Sequence, residues 1–267
     1  ASAIFITWRM SMLAVSKSNM SHSGFDIYST VVNGKPELVQ VSEPLHQSIL
    51  QNLSERNMSS SEISEATGKA QSTLSVHLDS LVSRGLIKSQ PDANDSRRKI
   101  FSVSSTKVAY STEASKEGIG VFYDMVNETV KCAPEVYYKT FLRTFLVECE
   151  AYGMHIGPAL EKIGEAMAVR MASEIPPGKL EDVISFVQDF YEKNGMGEVC
   201  IYTFLPLTII IRDTETYPFK INSIAQFSHG LFRRILSETM GRAYVITKRE
   251  TFGADNNYYK FIIELKE

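Results

Sequence analysis

Two groups of residues have the types and spacing to bind nucleic acid. The first is the densest run of positive charge in the chain, Arg97, Arg98 and Lys99, which ends a polar loop between two short β-prone segments. Guanidinium and ammonium groups bind backbone phosphates. The second is a set of polar residues at the start of one helical segment: Lys69, Gln71, Ser72, Thr73, Ser75 and His77. Because glutamine can read a base edge and helix N-termini attract phosphate, the two groups predict binding to double-stranded DNA.

The alternative is a protein-binding module whose charged loop is merely solvated. Residues 69–99 carry six Lys and Arg against three Asp. This excess of positive charge is modest, and it indicates an affinity for DNA that requires a homodimer.

The three cysteines are the next residues that could do chemistry. They are widely spaced and odd in number, which favours a reducing compartment over a disulfide framework. Cys149 lies on an apolar helical stripe and Cys200 in a β-prone run, so both are expected to be buried and inert. Cys132 follows Lys131 at a helix break, where a cation and exposure favour the thiolate. Cys132 is therefore the redox candidate, and its oxidation is expected to alter a dimer linker.

Aromatic residues of the C-terminal half offer a second route to sensing, an apolar pocket for a small effector. Its candidate lining, with two histidines as polar handles, is His155, Phe190, Phe204, Phe227, His229 and Phe232. Each of these residues also has the spacing of an ordinary core side chain, so both interpretations stay open.

Catalytic motifs are absent from the sequence. It has no Gly-x-Ser-x-Gly, no Gly-x-x-x-x-Gly-Lys, no His-x-x-x-His and no Cys-x-x-Cys. The prediction is that the protein is not an enzyme and has no cofactor and no metal site.

Composition fits a globular protein of two domains. The chain has 267 residues, of which 43% are hydrophobic and 22% charged, and its net charge is −3. Residues 1–110 carry 11 Lys and Arg against 9 Asp and Glu, whereas residues 111–267 carry 17 against 22. No run of about 18 apolar residues is present, so we expect no membrane span and a cytoplasmic location. Residues 1–24 are predicted to be a weakly structured leader.

The elements that would position the DNA-binding residues follow from turn and periodicity patterns. Asn33-Gly34 between two β-prone runs predicts a hairpin. Helices are predicted from Pro44 to about Arg56, from a cap at Ser60 or Ser61 to Gly68, and from about Ala70 to Arg84. Strands are predicted at 86–89 and 99–103. The expected inward residues of the second and third helices are Ile63, Ala66, Leu74, Leu78, Leu81 and Val82. Three helices followed by a two-stranded wing predict a winged helix-turn-helix.

The rest of the chain divides into a helical stretch and an α+β part. Residues 107–152 are predicted to be a helical linker that forms either a dimer contact or intradomain core. Helices are then predicted at 158–173, 179–194 and 228–240, with strands at 198–204, 207–212, 243–250 and 257–265. The apolar stripes expected in the linker are Ile119, Phe122, Met125, Val126 and Val130, followed by Tyr138, Phe141, Leu142, Phe145, Leu146 and Cys149.

The segment "AQSTLSVHLDSLVSRGLI" and the helices before it resemble the ArsR-type winged helices of bacterial and archaeal repressors, over about 60 residues. The resemblance implies that Ser72 to Leu78 belong to the recognition helix. Metal-sensing members place a cysteine pair near the second helix, where this chain has "SEISEATG". Metal sensing is therefore not expected.

The C-terminal half resembles the 4-vinyl reductase domain, a small-molecule-binding α+β module. The residues that carry this resemblance are Gly157, Gly195, Gly197, Gly230, Gly241, Glu250 and Phe261. The combination is similar to methanogen-specific regulators, which implies an archaeal, redox-responsive transcription factor. Many relatives have two cysteines in the last hairpin, and this chain has Gly253 and Tyr259 there.

The predicted fold class is thus α+β. A winged helix-turn-helix occupies residues 25–106, a helical linker 107–152 and a 4-vinyl reductase-like sensing domain 153–267. The predicted function is a homodimeric transcriptional regulator that responds to redox state or to a small apolar effector. The alternatives are an enzyme or carrier for a hydrophobic ligand, and a protein-assembly module.

Overall fold

The computed structural model describes residues 24–93, 95, 97–176, 178–214, 221, 223–254 and 256–266. Apart from Gly24, the predicted leader lies outside these residues. Among the described helices, none has the length and apolar character needed to cross a bilayer.

The chain begins with the predicted hairpin, formed by strands β1 (Asp26–Val32) and β2 (Lys35–Val41). Asn33 and Gly34 form its turn with φ angles of 52° and 77°. Two consecutive residues with positive φ match the right-handed twist of the flanking strands, which is why Asn-Gly is favoured here.

Helices α1 (Pro44–Glu55), α2 (Ser60–Thr67) and α3 (Gln71–Ser83) follow, with strands β3 (Met58–Ser59), β4 (Ile87–Pro91) and β5 (Lys99–Val103). The strands form an antiparallel sheet in the order β3-β5-β4. This is the predicted winged helix-turn-helix. Its core comprises buried residues from every helix, among them Ile49, Leu53, Ile63, Leu74, Leu78 and Leu81.

Three details of the predicted helices are wrong. Ala66 and Val82 are exposed rather than buried. The cap of α2 is Ser59, not Ser60 or Ser61. Ser59 lies three residues before Glu62, and this is the spacing at which serine and glutamate satisfy each other's backbone N–H groups in a capping box.

The predicted linker begins as a strand. β6 (Thr106–Ser111) pairs with β1, and β7 (Met154–His155) pairs with β6, which gives a sheet in the order β2-β1-β6-β7. This sheet contains segments from all three predicted divisions of the chain. The hairpin, the linker and the start of the C-terminal part are therefore joined by backbone hydrogen bonds.

Two helices make up the rest of the linker. α4 (Lys116–Lys131) and α5 (Tyr137–Ala151) are separated by a short 3-10 turn at Pro134–Val136. Met125, Leu146 and Cys149 are buried as expected. Val130 is exposed, and so are four residues of the second predicted stripe: Tyr138, Phe141, Leu142 and Phe145.

The C-terminal part consists of helices α6 (Gly157–Ala172), α7 (Leu180–Lys193) and α8 (Ser223–Met240) and strands β8 (Glu198–Phe204), β9 (Leu207–Arg212), β10 (Tyr244–Phe252) and β11 (Tyr258–Leu265). The strands form an antiparallel sheet in the order β10-β11-β9-β8, and the helices bury their apolar residues against it. β8 and β9 have the predicted bounds. α8 begins five residues earlier than predicted, since the prediction placed its start at residue 228.

Glycine sets the distance between α6 and α8. A Cβ atom at Gly164 would collide with the carbonyl oxygen of Phe227, and one at Gly230 with that of Glu161. Two of the glycines at this crossing, Gly157 and Gly230, belong to the residues that carry the 4-vinyl reductase resemblance. Gly230 therefore allows backbone contact between the helices, whereas Gly157 faces the side chain of Gln226 on α8.

Candidate nucleic-acid interface

The polar residues predicted to contact DNA are brought together on α3 and on the two residues before it. Lys69, Gln71, Ser72, Thr73 and Ser75 are all exposed. Leucines on the opposite side of the helix are buried, so packing against α1 and α2 fixes the helix and leaves its polar side outward. This is the arrangement that a recognition helix needs in order to enter a major groove.

Val76 belongs to the same outward surface, with 70% of its area exposed. The sequence pattern does not indicate that Val76 is a surface residue, because valine is apolar and β-branched, as core residues often are. A side chain of this kind can contact the methyl group of thymine.

His77 is engaged within the protein. Its Nδ1 atom lies 3.1 Å from His46 Nε2 and 3.2 Å from Glu43 Oε1. His46 Nδ1 in turn lies 3.3 Å from Glu43 Oε2. A hydrogen bond from His77 Nδ1 to a base would have to replace these contacts, so a role of that nitrogen in reading DNA is not supported by the geometry.

His46 is the buried member of this group. Burial, helped by His77 and Arg84, lowers the pKa of His46 against the opposing effect of Glu43. Its ring is therefore neutral near pH 7, because the ordinary pKa of histidine already lies below this pH. An open pocket of about 520 Å³ adjoins the group and is lined in part by Glu43, His77, Lys69 and Thr73.

The basic run of the wing has two roles. Arg97 and Lys99 are exposed. Arg98 instead points to α2, where its Nη2 atom donates to Ser59 Oγ at 2.8 Å and to Glu62 Oε2 at 2.9 Å. Arg98 thus positions the wing, while Arg97 and Lys99 present charge to solvent.

Glu62 is the acceptor on which this contact depends. Its carboxylate also accepts from Arg56 Nη1 at 2.7 Å and from the Ser59 backbone N–H at 2.8 Å. Hydrogen bonds from Arg56 and then from Ser59 lower the pKa of Glu62 from 4.5 to about 2.

The residues predicted to line an apolar pocket differ in their burial. Phe232 is fully buried in the C-terminal core, whereas Phe204 at the end of β8 is 56% exposed. Phe190 and Phe227 are partly buried against that core. The core interpretation therefore applies to Phe232, and Phe204 lies at the surface.

The two histidines of the predicted pocket have other partners. His155 stacks on Tyr110 with ring centres 4.6 Å apart, and its Nε2 lies 2.8 Å from Thr112 Oγ1. Burial lowers the pKa of His155, against the opposing charge of Glu150.

His229 Nδ1 lies 3.1 Å from Glu161 Oε1, on the neighbouring helix α6. Although burial acts to raise it, the pKa of Glu161 is lowered by the hydrogen bond and charge of His229 and by Arg233. His229 thus belongs to an interhelical ion cluster.

The cysteines differ in environment. Cys149 is buried, as expected, and burial raises the pKa of its thiol. Cys200 is exposed, which contradicts the prediction, because its side chain lies on the outward side of β8. Cys132 ends α4 and is half-buried, and its Sγ donates to the carbonyl oxygen of Thr129 at 3.2 Å.

Comparison with known proteins supports the helix-turn-helix. Residues 47–89, from α1 to β4, match the family described as bacterial regulatory protein, arsR family. No curated protein sequence matches the chain.

Solved structures show similarity at low identity. The adhesin competence repressor AdcR from Streptococcus pyogenes is 21% identical over 23% of this chain and 46% of that chain, with a TM-score of 0.23. This chain thus spans less than half of AdcR. A vinyl-4-reductase family protein from Methanocaldococcus jannaschii is 15% identical over 57% of this chain and 97% of that chain, with a TM-score of 0.32. A zinc-responsive MarR family member from Lactococcus lactis, ZitR, is 16% identical over 55% of this chain and 94% of that chain, with a TM-score of 0.24. At these values the similarities add nothing about function.

Replacing Glu62 with glutamine isolates its charge, because glutamine also completes a capping box. A carboxylate whose pKa is depressed on folding stabilises the fold above its unfolded pKa, and this contribution is lost as pH falls toward its folded pKa. Glu62→Gln is therefore expected to lower the free energy of unfolding at pH 7. The difference from wild type should narrow between pH 4.5 and about 2. Denaturant unfolding at several pH values measures this.

The matched control for Glu62→Gln is Glu65→Gln, an exposed residue on the same helix. It should change the free energy of unfolding by less than about 0.5 kcal/mol at every pH. A Glu62→Gln defect that stays constant as pH falls would show that the ion pairs of Glu62 do not stabilise the fold.

Proposed function

We propose that this protein is a homodimeric, DNA-binding transcriptional regulator. The observation that carries the proposal is the exposed polar side of α3 beside the exposed Arg97 and Lys99, within and next to the segment that matches the arsR family. A helix with this side outward fits the major groove, and the wing reaches the adjacent phosphates.

Each part of the surface has a distinct role in this proposal. Gln71, near the N-terminus of α3, reads a base edge, and Ser72, Thr73 and Ser75 contact phosphate or bases. Lys69, Arg97 and Lys99 neutralise phosphates. Arg98 keeps the wing against α2 and contributes to affinity through position rather than through direct contact.

Binding to DNA should separate these roles. The ligand is a duplex enriched from a random pool by the wild-type protein, and it is titrated at several salt concentrations by fluorescence anisotropy. Arg97→Ala and Lys99→Ala should weaken binding to all sequences and reduce the salt slope by about 1 each. Gln71→Ala should instead relax discrimination at one base pair, at a cost of about 1–3 kcal/mol.

Lys193→Ala, which removes an exposed lysine at the end of α7, is the matched control and should leave binding unchanged. Failure of the pool to enrich any sequence, with no salt-dependent binding to duplex DNA, would contradict the proposal and favour the assembly alternative.

The proposed signal is oxidation of Cys132. Burial and Glu198 both raise the pKa of Cys200, and burial raises that of Cys149, so neither thiol favours the reactive thiolate. Cys132 lies between α4 and α5, where a change at sulfur would disturb the junction of the two linker helices. Reaction with hydrogen peroxide converts the thiolate to sulfenic acid as one peroxide oxygen is transferred and the other leaves as hydroxide.

Treatment with peroxide should change the affinity for the enriched duplex, and dithiothreitol should restore it. Cys132→Ser should abolish this response, while Cys200→Ser, the exposed control, should retain it. A response that persists in Cys132→Ser would place the sensor elsewhere.

The proposed dimer contact is the apolar side of α5. Tyr138, Phe141, Leu142 and Phe145 are between 42% and 82% exposed and recur at helical spacing. A contiguous apolar surface of this kind marks an interaction site. The opposite side of α5 is fixed in the chain, because Arg143 Nη2 lies 2.6 Å from Asp213 Oδ1 and both side chains are largely buried.

A second copy of the chain is the proposed occupant of this surface, since two recognition helices are needed to bind a palindromic site. Phe141→Glu should convert the dimer to a monomer, because a carboxylate would be buried without a partner. Light scattering after size-exclusion chromatography measures the mass. Val169→Glu, at an exposed apolar position on α6, is the control and should leave the dimer intact. A wild-type monomer at micromolar concentration would contradict the proposed dimer.

A further inference from the structure

One cluster of metal-ligating side chains adjoins the proposed DNA-facing surface. Glu43, His46 and His77 each offer one ligand atom, and these atoms all lie within 4.8 Å of one another. Glu43 is the residue before α1, His46 lies in its first turn, and His77 comes from the middle of α3. The cluster therefore connects two helices that are separated in sequence.

The spacing of the atoms fits a small tetrahedral ion. With metal–nitrogen and metal–oxygen distances of about 2.0–2.2 Å, neighbouring ligands of tetrahedral zinc are about 3.3 Å apart. The measured separations are 3.1 Å between His46 Nε2 and His77 Nδ1, and 3.2 Å between His77 Nδ1 and Glu43 Oε1. The three ligand atoms all lie within 4.8 Å of one another, and the half-exposed Glu43 side chain has room to move and complete the site.

The chemistry of the ligands selects a class of ion. Two imidazoles and one carboxylate suit zinc and neighbouring divalent transition metals, whereas magnesium and calcium prefer oxygen ligands. Three protein ligands leave a fourth position for water. The pocket of about 520 Å³ beside Glu43 and His77 provides a path for the ion and space for that water.

Burial supports the same assignment. His46 is 5% exposed, whereas 46% of the Glu43 side chain and 24% of the His77 side chain are exposed. One ligand is thus held rigidly by the domain core, and the two others face the pocket. The hydrogen bond between the two histidines and their contacts with Glu43 already hold the three side chains together.

We propose that Glu43, His46 and His77 form a binding site for a divalent transition-metal ion of the zinc class, which links α1 to α3. The ion is coordinated by His46 Nε2 and His77 Nδ1 and displaces the hydrogen that joins these two atoms in the hydrogen-bonded form. The His77 ring then carries its hydrogen on Nε2.

The site lies where an ion would affect α3. Lys69 and Thr73, two of the proposed DNA contacts, line the same pocket as Glu43 and His77. An ion also adds two positive charges beside Glu43, which favours an approaching phosphate. Coupling between metal and DNA rests on the proposed function, whereas binding of the metal does not.

The direct test uses the full chain without an affinity tag and without DNA. Cobalt(II) should bind with one equivalent per chain and give the visible absorption bands of a tetrahedral site, and zinc should displace it. Zinc should also raise the thermal midpoint of unfolding. His77→Ala and Glu43→Gln should weaken binding more than about 100-fold, which exceeds the effect of losing a mere supporting partner.

Two variants control for adventitious binding. Glu37→Gln removes an exposed carboxylate on β2, and His22→Ala removes a histidine from outside the described residues. Both should retain the wild-type cobalt spectrum. Since His46 is buried and its loss could unfold the domain, the conclusion depends on His77→Ala and Glu43→Gln, with folding checked by circular dichroism.

Absence of a one-equivalent cobalt spectrum in the wild type, or an unchanged spectrum in His77→Ala, would overturn the site. The DNA titration is then repeated with and without zinc. Zinc should tighten binding of the wild type and have no effect on His77→Ala. A protein that binds cobalt as expected but binds no DNA would contradict the proposed function and leave the metal site standing.

Discussion

The geometry of the candidate DNA-binding surface depends on the carboxylate of Glu62. It completes the cap of α2 and accepts hydrogen bonds from Arg56 on one side and from Arg98 on the other. Both arginines are partly exposed, so either ion pair alone would contribute little to the stability of the fold. Their combination on one acceptor is what fixes the wing relative to α2. The same residue therefore links helix capping, a local property, to the position of Arg97 and Lys99.

The long elements of this fold could be predicted from the sequence. The Asn33-Gly34 hairpin, α1 to α3 and β8 to β11 all follow from turn residues and from apolar periodicity. β6 and β7 could not be predicted, because a two-residue strand has no periodicity and β6 is defined by its pairing with the distant strands β1 and β7. The outward apolar side of α5 has the pattern of a core helix. Sequence alone does not distinguish intrachain burial from a surface that a second chain would cover.

The same limit applies to individual site residues. The exposure of Gln71 and Ser75 follows from the buried leucines beside them on α3. The partners of His77 could not be predicted, because His46 is 31 residues away and only the packing of α1 against α3 brings His46 Nε2 to 3.1 Å from His77 Nδ1. Arg98 shows this most clearly. In sequence it is equivalent to Arg97, yet its place just before the start of β5 directs its side chain to Ser59 and Glu62, and its charge is used within the protein.

The C-terminal part is connected to α3 by a continuous structure. β7 pairs with β6, β6 pairs with β1, and Thr30 of β1 donates a hydrogen bond to the carbonyl oxygen of Gly85, just after α3, at 2.5 Å. Arg84 adds a second contact by donating to the carbonyl oxygen of Gln40 on β2. Such continuity is not itself evidence of coupling, which requires an element with two alternative states. In the proposed redox response, the α4–α5 junction is the place for such an element, because Cys132 lies there, between the two linker helices.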